Sequence, residues 1–379
     1  MNGSLGKGLC FLRAVPIIMI LAISSLLLSG CGLASGQREV EQMQVMETMG
    51  IDHAPGGVLL TLAPAEGEGP CLSAEGASVS AALERLRELS MEEDVFCGHI
   101  RRLLVGEEAA REDLRGILDY VCRSGDLRLE MPVYVLRSAT AAETMEGAGG
   151  EDADIDRVLR SLETRLSARS PGVGFTAARA LRELERSGST LLWALDFRPA
   201  SEENTRTAAP AGYAVIQSGR LRSFIEPEKA LGVRFLRNQV GTDQLTVQDL
   251  NGLPVGLELS GGSLELRPVW SEEGQLQGLE LSADVRASLL DAPKLGDAGA
   301  EQYEDYLTAQ LETAVSRQIS AVLQLSKQWK ADFLGLGPRL ELAAPKECGG
   351  ISPLLGKRLP ELELSIAVRG RLGHTGDME

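Results

Sequence analysis

The chain has 379 residues, of which 44% are hydrophobic and 24% are charged, so it is a folded protein long enough for two or three domains. Its formal net charge of -16 argues against a nucleic-acid partner, because phosphate binding requires clustered lysine and arginine. The same charge argues against attachment to an anionic bilayer by electrostatics alone. Any membrane attachment must come from another feature of the sequence.

The first 31 residues have the pattern of a bacterial lipoprotein signal peptide. Lys7 and Arg13 precede a mostly apolar run over residues 14–28. This run is short for a transmembrane helix and typical of a signal-peptide core. The run ends in a lipobox, formed by Leu28, Ser29, Gly30 and Cys31. The lipobox predicts cleavage after residue 30 and lipidation of Cys31. The two acyl chains of the lipid would then anchor the protein stably in a membrane. The alternative is an ordinary secretory signal with an incidental cysteine.

Four other cysteines remain after this cleavage: Cys71, Cys97, Cys122 and Cys348. Their spacing contains no CxxC pair and resembles no zinc site. An even number of cysteines outside the cytoplasm permits two disulfides, in three possible pairings. We expect most of these residues to be small buried side chains, because a core of this size does not need disulfides.

The N-terminal half alternates between predicted strands and helices. A strand, a turn at Pro55-Gly56-Gly57 and a second strand come first, and Ser78 is the predicted N-cap of a helix with apolar residues at helical spacing. Two further helices are predicted near 156–168 and 174–187. Residues 138–155 are rich in alanine, glycine and acidic residues, and we expect them to form an exposed insertion. This alternation predicts a mixed sheet with helices packed on it.

The second half has a different periodicity. Residues 213–224 predict a hairpin, and apolar residues from Val255 to Ala287 alternate as in an antiparallel meander. The apolar spacing from Gln302 to Phe333 predicts one long helix that Gly335 and Gly337 would end, and a last strand follows near 362–368. The predicted fold class is therefore α+β and multi-domain, with an antiparallel sheet and one long helix in the C-terminal half.

Five segments follow from this pattern, with the main boundary in the polar residues 198–210. They are a signal peptide over 1–30, a lipidated tether over 31–37, an N-terminal α/β-type domain over 38–199, a small middle domain over 209–254 and a C-terminal α+β domain over 255–379.

The sequence offers no convincing catalytic, cofactor-binding or metal-binding set. Its three histidines lie apart, and the chain contains no GxSxG, P-loop or HExxH motif. Cys97-Gly98-His99 is the nearest approach to a nucleophile and a base, but these neighbours are too local to form an oriented triad. The acidic run over 146–154 lacks the ligand order of a calcium loop. We predict that the protein is not an enzyme.

Several short segments, in order, resemble the Ger(x)C spore germination lipoproteins, which are the C subunits of nutrient germinant receptors. The matching segments are 37–40 (QREV), 49–52 (MGID), 75–78 (EGAS), 98–109 (GHIRRLLVGEEA), 214–221 (AVIQSGRL), 330–337 (KADFLGLG) and, less well, 368–373 (VRGRLG). Arg123 and Arg128 also fall where the family often carries arginines. The chain departs from the family in having Gly32-Leu33 where Trp-Asp is usual, in a short segment before residue 359, and in its acidity.

The resemblance implies a three-domain α+β lipoprotein on the outer face of the inner spore membrane, beside two integral-membrane receptor subunits. Its role would be noncatalytic and would depend on protein contacts. The glycines of the matched segments would serve turns, and Asp52, His99 and Asp332 would cap helices or form hydrogen bonds. The alternatives are a solute-binding lipoprotein of a transporter and, less favoured, an extracytoplasmic hydrolase.

Overall fold

The computed structural model of the chain describes residues 43–64, 69–90, 94–147, 155–171, 174–199, 206–290 and 300–373. Its β-strands form two sheets, one of nine strands and one of four. The signal peptide and the tether predicted from the sequence lie outside the described residues.

The first sheet is mixed, as the sequence predicts. Its strands are β1 (Met43–Ala54), β2 (Gly57–Pro64), β3 (Leu72–Gly76), β4 (Asp94–Phe96), β5 (Arg102–Val105), β6 (Val133–Leu136), β7 (Ser189–Pro199), β8 (Arg206–Gln217) and β9 (Arg220–Ile225). They follow the order β3-β2-β1-β5-β6-β7-β8-β9, with β4 outside this path. The central strands β1, β5, β6 and β7 are parallel, and the flanking pairs are antiparallel.

Five helices accompany this sheet: α1 (Val79–Leu89), α2 (Glu107–Arg123), α3 (Ala141–Gly147), α4 (Ile155–Arg169) and α5 (Ala177–Ser187). Parallel neighbours need crossover connections, and α2 supplies the one from β5 to β6 while α3, α4 and α5 supply the one from β6 to β7. The predicted cap of α1 is confirmed, because the Ser78 hydroxyl accepts a hydrogen bond from the Ala81 N–H at 3.3 Å.

Part of the predicted exposed insertion over 138–155 is instead a packed helix. Within it lies α3, in which the Ala141, Thr144 and Met145 side chains are buried. The prediction was wrong for this part because alanine and acidic residues suit a helix as well as a loop, and the contact that fixes α3 comes from β1, far away in sequence. Residues 148–154 lie outside the described part of the chain.

The first sheet continues through the region where the sequence predicts the main domain boundary. Residues of β7 pair with β8 on both sides of residues 200–205, from Ser189 with Gln217 to Pro199 with Arg206. The hairpin β8–β9 thus extends the first sheet, although it falls largely in the predicted middle domain over 209–254. The polar residues 198–210 therefore include a connection between two adjacent strands of one sheet. The division of the chain into domains stays a prediction.

The second sheet contains β10 (Asp243–Gln248), β11 (Pro254–Trp270), β12 (Leu276–Leu289) and β13 (Glu363–Gly373), in that order. The first three are antiparallel, and the pairing of β11 with β12 confirms the meander predicted from Val255 to Ala287. The strand β10 lies before that predicted region, and β13 runs parallel to β12. The helices between β12 and β13 provide the crossover that a parallel neighbour requires. Alternation along a single strand reveals a buried face and does not reveal the direction of its neighbour.

Four helices belong to the second half: α6 (Ala230–Leu236), α7 (Ala300–Trp329), α8 (Leu336–Ala343) and α9 (Ser352–Arg358). The long helix α7 has its predicted core face, in which Leu311, Val315 and Ile319 are fully buried. It ends at Trp329, before the glycines that were expected to end it, because Lys330 adopts a left-handed conformation with φ of 52°. Gly337 belongs to α8 instead.

Candidate functional site

The lipidation site and its lipobox lie outside the described residues, so Cys31 stays a prediction. Among the residues that the structure describes, no helix is long and apolar enough to cross a membrane. The same part of the chain contains no group of three histidine, cysteine or acidic side chains that could hold a metal ion. The four remaining cysteines are free, with Cys97 and Cys348 buried and Cys71 and Cys122 partly exposed.

The segment 49–52 holds helix α3 against the first sheet. The buried Asp52 carboxylate accepts hydrogen bonds from the backbone N–H groups of Ala141 at 2.7 Å and Ala142 at 2.8 Å. Burial raises the pKa of Asp52, while these two hydrogen bonds act in the opposite direction. A Cβ atom on Gly50 would lie 2.7 Å from both the Ala141 Cβ and the Met145 Sδ. Glycine is therefore required for α3 to pack this closely.

The segment 98–109 contributes to the same place. Gly106 donates its N–H to the Ile51 carbonyl at 2.9 Å, and a Cβ atom on it would lie 2.2 Å from the Asp52 carboxylate. The neighbouring Glu107 carboxylate accepts the Ser138 N–H at 3.0 Å, just before α3. Two segments that resemble the family thus converge on one helix start, where their residues stabilise the fold.

The pair Cys97 and His99 does not have the environment of a nucleophile and its base. The Cys97 side chain is buried, and burial raises the pKa of its thiol, whereas an activated cysteine needs a lowered pKa. His99 is exposed, and its ring lies against the Phe96 ring with the centroids 5.6 Å apart. The helix cap or hydrogen bond expected of His99 is not among the contacts of the described residues, since its side chain is exposed in a turn.

The segment 330–337 forms a tight connection from α7 to α8. Asp332 is only 1% exposed, and its carboxylate accepts the N–H groups of Leu336 at 2.9 Å and Gly337 at 2.7 Å, which caps α8 as predicted. Burial raises the pKa of Asp332 to about 6 although these hydrogen bonds act against the shift. A Cβ atom on Gly337 would lie 2.8 Å from the Ser352 Cα, so glycine allows α9 to approach.

A group of buried charges lies beside this connection, and we call Arg179, Glu183 and Arg237 the charged junction. The Arg237 guanidinium donates to both Glu183 carboxylate oxygens, at 2.5 and 3.3 Å, and to the Phe333 carbonyl at 3.0 Å. Arg179 donates to the same carboxylate at 3.0 Å, and Arg237 lies over the Phe175 ring. Burial alone would raise the pKa of Glu183, but chiefly Arg237 holds that pKa below its usual value.

Further arginines extend the contacts of the charged junction. Arg339 on α8 donates to the Leu236 carbonyl at 2.6 Å and to the Leu264 carbonyl, on β11, at 2.7 Å. Arg186 on α5 pairs with Glu341 on α8 at 2.7 Å. These contacts connect α5, which packs on β7 of the first sheet, with α8 and the second sheet.

A cleft of about 590 Å³ opens at the charged junction, between α5, the end of α6 and the segment 330–337. Neither histidine nor cysteine is among its lining residues, so these residues supply no thiolate or imidazole for catalysis. Its charged groups instead fix the position of one sheet relative to the other. Glu183 was not identified from the sequence. Its position on a helix next to the buried Ala180 and Leu184 is a detectable signal, because a carboxylate beside a core face needs a partner.

Comparison with known proteins places both halves of the chain in one family. Residues 36–192 match the family described as "Spore germination protein N-terminal domain", and residues 211–376 match "Spore germination B3/ GerAC like, C-terminal". No curated protein sequence matches significantly.

A solved structure shares the fold. The chain is similar to the "Crystal Structure of the GerBC protein", with a TM-score of 0.58 and 16% sequence identity, over 86% of this chain and 96% of that one. The two family matches together span most of the chain. The chain therefore belongs to the GerAC family of spore germination proteins, the noncatalytic C subunits of germinant receptors.

Proposed function

We propose that the protein is a lipid-anchored, noncatalytic subunit of a spore germinant receptor that supports nutrient-triggered germination through protein–protein contacts. The match of both halves to the spore germination family carries this proposal. The matched residues around Asp52 and Asp332 hold helices in place, so surface contacts are left as the means of action.

The anchor in this proposal is diacylglycerol on Cys31, after removal of residues 1–30. The lipobox and the short apolar run before it support the assignment. Strand β1 begins at Met43, and the 12 residues from Cys31 to Met43 can span at most about 40 Å. The first sheet would then stay close to the membrane that holds the integral-membrane receptor subunits, on the extracytoplasmic face of the inner spore membrane.

The second half of the structure supports this function over that of a solute-binding lipoprotein. Such a protein needs two similar lobes around a ligand cleft. The described residues of the second half instead form a four-stranded sheet with the long helix α7 packed against it, unlike the nine-stranded mixed sheet of the first half.

The test is dipicolinate release from spores that lack the protein, exposed to a panel of nutrients and, separately, to a trigger that bypasses receptors. We expect loss of the nutrient response with the bypass response intact. Wild type should restore the response and Cys31→Ala should not. Cys10→Ala is the matched control, because it replaces a cysteine of the predicted signal peptide and should restore germination fully.

Two outcomes would contradict the proposal. A normal response of the deletion spores to every nutrient would favour a solute-binding or other envelope lipoprotein. Full activity of Cys31→Ala at normal abundance in the spore membrane fraction would show that lipidation of this cysteine is not needed.

A further inference from the structure

The last strand of the second sheet has a long open edge. β13 spans 11 residues and pairs with β12 on one side only. The other strands that end the two sheet paths are shorter, with 5 residues in β3 and 6 each in β9 and β10. An open edge of this length offers unpaired backbone groups to another strand unless the protein covers them.

Helix α7 covers this edge at two positions, Leu362 just before the strand and Gly370 within it. The Gly370 N–H donates to the Glu312 carboxylate of α7 at 2.8 Å, and the Lys327 amine of α7 donates to the Leu362 carbonyl at 2.8 Å. The backbone of Gly370 therefore faces away from β12. Backbone groups along a strand point in the same direction at every second residue, so the N–H and C=O groups of Ile366 also face away from β12.

Between these two covered positions, three residues have backbone groups that face away from β12: Leu364, Ile366 and Val368. Their outward N–H and C=O groups have no hydrogen-bond partner in the described part of the chain. Their side chains point toward α7 and are only partly buried, whereas the neighbouring Leu279 and Leu281 of β12 are 1% exposed. The open segment thus combines unpaired backbone with an incompletely covered apolar row.

The sequence of this segment is complementary to itself in the antiparallel direction. In a pairing centred on Ile366, Leu364 would face Val368 of a second copy, and the two outward-facing backbones would exchange both hydrogen bonds at each such pair. Glu363 would face Arg369 of the second copy on the exposed side of the sheet, twice by symmetry. The covered positions Leu362 and Gly370 would face each other just outside the paired segment.

We propose that β13 is an interface for a second copy of this chain, which pairs antiparallel about a two-fold axis at Ile366. A two-fold interface requires a surface that complements itself, and the order of Glu363 and Arg369 along the strand meets that requirement. The covered positions Leu362 and Gly370 limit the open segment at equal distances on either side of Ile366. Pairing would join the two four-stranded sheets and cover the partly exposed apolar rows of both copies. This interface goes beyond the proposed receptor function and does not depend on it.

The register is tested by disulfide crosslinking of the full-length chain in mild detergent. Ser365 and Ala367 of the second copy would form a pair without hydrogen bonds, with Cα atoms about 4.5 Å apart, which suits a disulfide. A mixture of tagged Ser365→Cys and untagged Ala367→Cys chains should yield the mixed dimer under mild oxidation. Gln244→Cys, exposed on the edge strand β10, is the control and should stay monomeric.

The charge order is tested by the dimer dissociation constant from analytical ultracentrifugation. Glu363→Arg and Arg369→Glu should each weaken the dimer about tenfold, because each places like charges opposite one another at two positions. The double variant Glu363→Arg/Arg369→Glu restores opposite charges and should dimerise as wild type does. Both residues are exposed, so the single variants should keep the wild-type melting temperature of the monomer.

Three results would overturn the proposal. The first is a monomeric wild-type chain at every concentration measured. The second is a crosslink in another register, or one equally strong at Gln244→Cys. The third is a Ser365→Cys crosslink in spore membranes to a different protein and not to a second copy, which would assign the edge to that protein.

Discussion

Arg237→Ala should destabilise the protein strongly, because it removes the main partner of the Glu183 carboxylate and leaves that charge only partly compensated by Arg179. The Arg237 side chain is 3% exposed and the Glu183 side chain 22%, so water can hydrate the remaining charge only in part. Removing one partner of a buried ion pair costs about 3–5 kcal/mol. Arg179 would still contact Glu183, which places the expected loss near the lower end of that range, about 3 kcal/mol.

Two further variants separate the uncompensated charge from lost packing. Arg179→Ala should cost about 1 kcal/mol, since Arg237 would continue to pair with Glu183. Glu183→Leu/Arg237→Met removes both charges and keeps much of the side-chain volume. It should be closer to wild type than Arg237→Ala, because replacing a buried ion pair by apolar residues is often neutral.

The assay is urea unfolding followed by tryptophan fluorescence, which includes Trp193 of β7, with the free energy of unfolding taken by linear extrapolation. An Arg237→Ala variant within about 0.5 kcal/mol of wild type would show that this charge pair does not stabilise the fold. A double variant no more stable than Arg237→Ala would refute the uncompensated charge as the cause.

Three other variants test the remaining structural assignments. Asp52→Ala should cost about 1–2 kcal/mol in urea unfolding because α3 loses its cap, and an unchanged midpoint would refute that role. Ile319→Glu should lower the melting temperature sharply since its side chain is fully buried, while Gln324→Glu, exposed on the same helix, should leave it unchanged. The raised pKa of Asp332 means that its protonated form favours the folded state, so its contribution is complete below pH 4 and is lost as the pH rises through about 6. Asp332→Asn should remove this decline in stability between pH 4 and 7, and an identical pH profile would contradict the assignment.

The family segments show what sequence resemblance could and could not reveal about the candidate site. The prediction that Asp52 and Asp332 cap helices or form hydrogen bonds is confirmed, since each carboxylate accepts backbone N–H groups at the start of a helix. Short acidic side chains next to glycines are typical of turns and caps. The helix that Asp52 caps could not be predicted, because Ala141 lies 89 residues further along the chain. The pairing of Glu183 with Arg237, 54 residues apart, was hidden for the same reason.

The sequence by itself determined the elements whose signals are local. Ser78 begins a helix through its own hydroxyl, the apolar spacing around Ile319 places one face of α7 in the core, and alternation along β11 and β12 gives that sheet its buried face. Each signal depends on residues within a few turns or strand positions of one another, so it is present before the chain folds.

Only the tertiary structure decided how these elements meet. It made β13 parallel to β12, continued the first sheet into β8 and β9, and turned part of a predicted loop into α3. The physical reason is that these outcomes depend on contacts between distant residues. The energy of such a contact depends on which distant residues pack against each other and form hydrogen bonds in the folded chain. The local pattern of apolar and polar residues does not contain that information.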